Sequence, residues 1–392
     1  MKRYIAIALA ACTLIFLAGC EQEVVVKDGR VEQGIVQQPG TSSANAKASG
    51  LTYRGMDLSF AYKIETQRGG KFYYANGSAG TVFDIAKSSN VNLVRLRLWV
   101  NPDANHKECS LGAVKEQAKK IVAKGMQFML TLHYSDIWAD PGTQTKPSAW
   151  SSLTQQQLID KIWSYTTDVM NQLKSQGTAP AIVQIGNEIN GGFLWPTFKV
   201  SADSDTNWDN SFEYAINSGY NAVKTVFPNT KVMLHYAGIW ADNFFWRCSK
   251  FGIQYDIMGF SWYPEWHGKS FSDVYNQLNN LTSWYSKTCI VVETAYPWTT
   301  GYADQAGNVL GTGSQMSGYA MTPAGQQAFI EQLMAIVKSI PNNKGLGVVY
   351  WEPDWTVYNG ASATNWENGS SWENAALFDF SWKAMQGFNA FN

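Results

Sequence analysis

A single (β/α)8 barrel over residues 51–392 is the fold the sequence predicts, on three observations. Short β-rich runs alternate with longer helical patterns eight times from Leu51 onward. Each of the eight runs ends on polar or aromatic residues that an apolar strand body does not need. The turn after the first run, "GMDLSF", lacks the glycine-rich fingerprint of a doubly wound dinucleotide-binding sheet, and no P-loop occurs.

The units follow in order. "LTYRGMDLSF" is the first strand, with a helix in "VFDIAKSSN"; "VNLVRLRLWV" precedes the helix "LGAVKEQAKKIVAKG". "MQFMLTLHYSD" leads to "TQQQLIDKIWSYTTDVMNQLKSQG", and "AIVQIGNE" to "SFEYAINSGYNAVKTVF". The second half supplies "KVMLHYA" with "NFFWRCSKFG", "YDIMGFSWYP" with "FSDVYNQLNNLTSWYSK", and "CIVVETAYP" with "TPAGQQAFIEQLMAIVKSI". "LGVVYWEPDW" is the eighth strand, and "WENAALFDFSWKAMQGF" reads as the closing helix. Thr322 followed by Pro323 is an N-cap and first-turn signature. No composition shift marks a second domain.

The N-terminus has a different character. Lys2 and Arg3 precede an apolar run 14 residues long, Tyr4 to Leu17, short of the roughly 20 a membrane-spanning helix needs. Residues 1–19 therefore read as a secretory signal. "LAGC" resembles a bacterial lipobox, which makes Cys20 the expected lipidation site, residues 20–50 a polar tether, and the protein a lipid-anchored envelope protein displayed at the outer surface. Cys109, Cys248 and Cys289 are an odd set; they admit one bridge and read more naturally as buried thiols.

With 30 basic and 31 acidic residues, the net charge of −1 gives no electrostatic pull toward nucleic acid. A neutral substrate fits better. Most of the 17 Trp and 19 Tyr must pack the barrel, yet some are left to stack on flat apolar surfaces such as sugar rings.

In such a barrel the chemistry sits at the C-terminal ends of the strands. There the sequence places Asp57, Arg97, His133, Asn187 with Glu188, His235, Tyr263, Glu293 and Trp351. Taken singly, each is as well read as a loop or capping residue; eight strand ends that all carry such residues are not. Glu188 and Glu293 stand out, 105 residues apart in sequence but on the fourth and seventh strands, which face each other across the mouth. Two carboxyls roughly 5–5.5 Å apart are what a retaining glycosidase uses, and wider spacing marks an inverting one. The plainer alternative is a static pairing with an arginine such as Arg97. His133, His235 and His267 lie near the mouth, but no HxH pair or clustered ligand set supports a metal. No cofactor is expected.

"GNE" on strand four with a lone Glu ending strand seven resembles clan A of the retaining glycoside hydrolases. More narrowly, "RGMDLSF", "VRLRLWVNP", "LHYSDIWADPGTQTKPSAW", "QIGNEINGGFLWP", "SWYPEWHG", "VVETAYPW" and "YWEPDW" together resemble the endo-β-1,4-galactanases of glycoside hydrolase family 53, across residues 51–392. The resemblance implies Glu188 as general acid/base and Glu293 as nucleophile, with Tyr263 as phenolic donor to Glu293 and Arg97 as its charge partner. It implies that Asn187 bonds the 2-hydroxyl of the sugar at the cleaved position, that Trp351 forms the floor, and that Asp57, His133, Asp136, Trp138, His235, Trp266 and His267 serve the site and its neighbouring subsites. Bacterial members often hold calcium in an acidic loop after strand seven; here that loop contains one acid, Asp304, and no ion is expected. The implied substrate is a β-1,4-linked galactan of pectin side chains, acted on by a monomer. Two alternatives stay open: another endo-β-glycanase of the clan, such as a mannanase or cellulase, and a surface glycan-binding lipoprotein without catalysis.

Overall fold

The computed structural model describes residues 50–392 and, for the backbone, a short antiparallel pairing of Val26–Lys27 with Arg30–Val31. The chain divides into two units, Met1–Ser43 and Ala44–Asn392. The signal, Cys20 and nearly all of the tether lie outside the described residues.

Eight parallel strands close a barrel in the second unit. They are β1 (Tyr53–Asp57), β2 (Leu93–Leu98), β3 (Gln127–Leu132), β4 (Ile182–Ile185), β5 (Lys231–Ala237), β6 (Ile257–Ser261), β7 (Thr288–Thr294) and β8 (Gly345–Trp351), each hydrogen-bonded to the next and β8 to β1. The helices are α1 (Val82–Ser88), α2 (Leu111–Ala123), α3 (Gln155–Ser175), α4 (Glu213–Val226), α5 (Asp242–Lys250), α6 (Phe271–Tyr285) and α7 (Pro323–Lys338). Their starts follow local chemistry. Thr154 and Gln157 form a reciprocal capping box on α3, and Thr322 accepts the Gly325 N–H ahead of Pro323 on α7.

Side-chain alternation sorts each strand into an inner and an outer face. Leu96, Leu130, Ile185 and Phe260 point outward into the core shared with helix residues such as Ile121, Leu173 and Ile216. Leu93, Met129, Ile182, Met233, Ile257, Ile290 and Val349 point inward and plug the barrel. Two residues further along the same inner faces stand Arg95, Thr131, Gln184 and His235, all buried. The interior thus turns from apolar to polar toward the C-terminal end of the strands, the end at which barrels of this kind place their chemistry.

One expected element is corrected. Residues 372–388, read as a closing helix, contain no α-helix; the chain turns back on itself and ends in a short 3-10 helix, Gln386–Phe391. The Asp379 carboxylate accepts the N–H groups of Ser381 and Lys383, and Phe378 pairs antiparallel with Ala384. A side chain that satisfies the backbone locally competes with the helix. Leu377, Phe378, Phe388 and Phe391 still bury fully, so the apolar spacing that suggested a helix serves a folded loop instead.

Candidate active site

The cleft at the C-terminal end of the barrel has a volume of about 530 Å³. It is lined by Asp57, Arg97, His133, Trp138, Asn187, Glu188, Tyr263, Trp266, His267, Glu293 and Trp351, all picked out in the sequence, and by Arg95, Asp140, Trp355, Trp366 and Trp372, which were not.

Glu188 reaches the mouth through a sharp backbone turn. Gly186 has φ +74° and a Cβ there would lie 2.5 Å from Ile189, so glycine is required; Glu188 itself has φ +47°. A left-handed glutamate costs on the order of 1 kcal/mol and persists because its surroundings hold it. Glu293 arrives by another device. Strict alternation along β7 would place it on the outer face, opposite to Val292, but the pairing with β6 runs Phe260↔Val291 and then Ser261↔Glu293, and that with β8 also slips by one residue. This β-bulge turns Glu293 inward. One oxygen of Glu188 and one of Glu293 lie within 4.8 Å of each other and of a His235 ring nitrogen.

The fixed positive charge is Arg95. Its Nη1 contacts Glu293 Oε1 at 2.7 Å and Asp57 Oδ2 at 2.8 Å, while Nη2 donates to Asn187 Oδ1 at 2.9 Å and Nε to Thr131 Oγ1 at 2.9 Å. Only a guanidinium fork serves so many acceptors in one plane. The expectation that Arg97 is the partner of Glu293 is therefore corrected. Arg97 pairs with the buried Glu352 and lies between the rings of Phe60 and Trp138, 4.5 and 4.4 Å from their centroids.

Burial raises both strand-end carboxyls, and their surroundings push them apart. The Glu188 carboxyl is pushed up to about 8, by burial first and then by the charge of Glu293, against hydrogen bonding from Ser261. Glu293 is also raised by burial, but Arg95 and the Tyr263 hydroxyl, 3.2 Å from Oε2, favour its ionised form. Glu293 is thus the member that ionises first, and Glu188 the one that keeps a proton near neutrality. Burial raises the Tyr263 phenol well above its ordinary value, so it stays a donor.

Asn187 is oriented by its Nδ2 donating to Ala139 O at 2.8 Å. Trp351 forms an edge contact with Trp372, centroids 4.7 Å apart, and Trp266 is 53% exposed at the rim. Burial lowers the His267 imidazole to about 4 and the buried His133 further below its ordinary value, so both are neutral.

Two expected subsite residues do not line the cleft. Asp136 accepts from the Asn101 and Ser148 N–H groups and pins the loop carrying Trp138. His235 is fully buried behind Glu188, with Nδ1 facing Gln184 and Nε2 facing Ser261. Glu188, His235 and Glu293 are the grouping among the described residues that could hold a metal. They do not fit one well: Arg95 already lies against Glu293, and the Nδ1 lone pair is met by amide donors. Cys109, Cys248 and Cys289 are free and buried.

Arg95 was legible in principle. In "LVRLRL" it shares the inner face with Leu93 and Arg97, one layer below the strand end. Trp366 and Trp372 carried no such signal.

The family model for glycosyl hydrolase family 53 matches residues 53–391. The chain is 35% identical over 342 residues to an arabinogalactan endo-beta-1,4-galactanase of Cellvibrio japonicus (strain Ueda107), covering 83% of this chain and 86% of the relative. Among solved structures it resembles the Ignisphaera aggregans GH53 catalytic domain, with TM-score 0.81 and 36% identity over 88% of this chain and 98% of that one. A structure of fungal beta-1,4-galactanases aligns with TM-score 0.73 and 31% identity over 87% of this chain and 99% of that one.

Proposed function

Because the chain belongs to glycosyl hydrolase family 53, and is thus a glycoside hydrolase, we propose that it cleaves β-1,4-galactosidic bonds within galactan or arabinogalactan with retention of configuration. The observation that carries this reading is the approach of Glu188 and Glu293 to within 4.8 Å at the floor of a tryptophan-lined cleft. A gap that short suits a retaining pair rather than an inverting one. The galactan preference rests on the relatives, whose names describe galactanases.

In the first step the ionised Glu293 attacks the anomeric carbon while the Glu188 proton passes to the glycosidic oxygen, and the carbon–oxygen bond to the leaving chain breaks. In the second, Glu188 takes a proton from water, whose oxygen displaces Glu293. Arg95 and Tyr263 hold the carboxylate ready. Asn187, its amide oriented by Ala139 and Arg95, offers a donor to the 2-hydroxyl, a contact that strengthens as charge develops. Trp351 and Trp372 supply the floor.

The same reading includes a lipid anchor at Cys20, supported by "LAGC" after the apolar leader, and an envelope location facing polymer outside the cell. It also includes action as a monomer. The test is hydrolysis of linear β-1,4-galactan, with mannan and cellulose alongside, by the wild type and its Glu293→Ala variant. Galactan cleavage with initial release of the β-anomer, reduced by several orders of magnitude in the variant, is expected. Binding without cleavage by the wild type would overturn it.

A further inference from the structure

Ser261 touches Glu188 but not the cleft. It ends β6, is fully buried, and pairs in register with Ala237 on β5 and with Glu293 at the bulge of β7. Its Oγ lies 2.5 Å from Glu188 Oε1 and 2.8 Å from His235 Nε2.

The direction of this chain of hydrogen bonds follows from its far end. His235 Nδ1 accepts the Glu188 backbone N–H at 3.4 Å, a donor whose direction the main chain fixes, and lies 3.1 Å from Gln184 Nε2, which gives one of its two hydrogens to Gly186 O at 2.8 Å. Its other polar neighbours are Asn187 Oδ1 at 3.1 Å, which accepts from Arg95 at 2.9 Å and lies 3.0 Å from Gln184 Nε2, and Glu293 Oε1 at 4.0 Å; a proton on Nδ1 would point against the Glu188 backbone N–H. Burial, with Arg95 adding to it, keeps the imidazole neutral. Its single proton therefore sits on Nε2 and goes to Ser261 Oγ, and the serine hydroxyl has its own proton left for Glu188 Oε1.

We propose that Ser261, oriented by His235, is a positioning residue that makes Oε1 of Glu188 an acceptor and so assigns the acid proton to Oε2, the oxygen left for the cleft. Oε2 has no hydrogen-bond partner among the described residues. This assignment rests on the reading of Glu188 as the acid/base. It saves the catalytic proton from being placed on the wrong oxygen, where the carboxyl would have to rotate before donation. The other groups facing Glu188 are charged or titratable without supplying that direction: Glu293 on β7, Arg95 on β2, Asp140 after β3 and Tyr263 after β6.

The experiment compares Ser261→Ala and Glu188→Ala with the wild-type chain on two substrates. One is linear β-1,4-galactan; the other is a 2,4-dinitrophenyl β-galactobioside, whose leaving group departs without protonation. Ser261→Ala is expected to lower kcat/KM on galactan about tenfold to hundredfold, and on the dinitrophenyl substrate less than about threefold. Cleavage of the activated substrate reports that the variant is folded. The basic limb of the galactan pH profile is expected to move upward, because the Glu188 carboxylate loses a donor. Equal losses on both substrates with an unmoved basic limb, or no loss on either, would overturn the proposal. Glu188→Ala separates the two levels: loss on galactan alone upholds the acid/base reading whatever Ser261 does, whereas equal loss on both substrates would remove that reading and the proposal with it.

Discussion

Replacing Arg95 by Met removes the guanidinium that contacts Glu293, and its effect is specific in pH. The wild-type kcat/KM on galactan should be bell-shaped, rising as Glu293 ionises and falling as Glu188 loses its proton near pH 8. Arg95 stabilises the ionised Glu293 carboxylate, so its loss moves the acid limb upward and leaves less room before the basic limb. A hydrogen bond to a charged group is worth about 1.5–3 kcal/mol, which at 1.36 kcal/mol per pKa unit is an upward shift of about 1–2 units. The ratio of kcat/KM at pH 5 to that at pH 7 should then fall, by at most about tenfold for a one-unit shift and hundredfold for two. Asp57 also loses Arg95 but keeps the Ser59 hydroxyl at 2.5 Å and the Ser59 N–H at 3.1 Å. Arg95→Lys keeps the charge but not the fork, and is expected to fall between. The assay is kcat/KM from about pH 4 to 9, with thermal melts to confirm folding. Arg97→Met serves as the control: it sits one layer higher, against Glu352, and should leave the acid limb in place. An unmoved acid limb in Arg95→Met, or an equal shift in Arg97→Met, would refute the assignment of Arg95 as the charge partner of Glu293.

Two further outcomes follow from the packing. Arg97→Met leaves Glu352, fully buried, without its cation and should cost about 3–5 kcal/mol, a Tm drop of roughly 4–7 °C for a barrel of this size; adding Glu352→Gln should restore much of it, and melts that show no recovery would count against the pairing. Trp351→Ala removes a ring braced by Trp372 in the cleft floor and should lower kcat/KM on galactan by about tenfold to hundredfold, from roughly 1–3 kcal/mol of lost contact; steady-state kinetics check it, and a change under about twofold would remove Trp351 from the substrate path.

How far the site could be read in advance varies from residue to residue. Glu188 was visible because a carboxylate directly after the apolar "AIVQI" has no structural reason to be there. Tyr263 was expected to donate to Glu293, and its hydroxyl lies 3.2 Å from that carboxylate. The arginine was misassigned because the last inward residue of a strand is not always the one in the catalytic layer. Strand stagger puts Arg95, paired in register with Asp57, at the height of Glu293 and lifts Arg97 above it. His235 looked like a subsite residue because it lies near a strand end; it is fully buried behind Glu188, touching that residue's backbone N–H and meeting the Ser261 hydroxyl that reaches its carboxylate. The final segment misled differently, since its apolar spacing suits a helix while Asp379 supplies a turn.

Local chemistry is what the chain carries in its order of residues. Eight alternations of pattern, the capping signals of α3 and α7, the two faces of each strand and the two strand-end glutamates are all properties of neighbours within a few residues, and they survive without knowledge of the rest. What the tertiary structure alone decided are relations between distant segments. The bulge that turns Glu293 inward exists only as a mismatch of register with β6 and β8. The layer that joins Arg95, Asp57 and Glu293 exists only once eight strands have closed with a common stagger. The Trp351–Trp372 floor needs a loop that returns over the mouth after β8. Each depends on the geometry of closure, which no short stretch of residues contains.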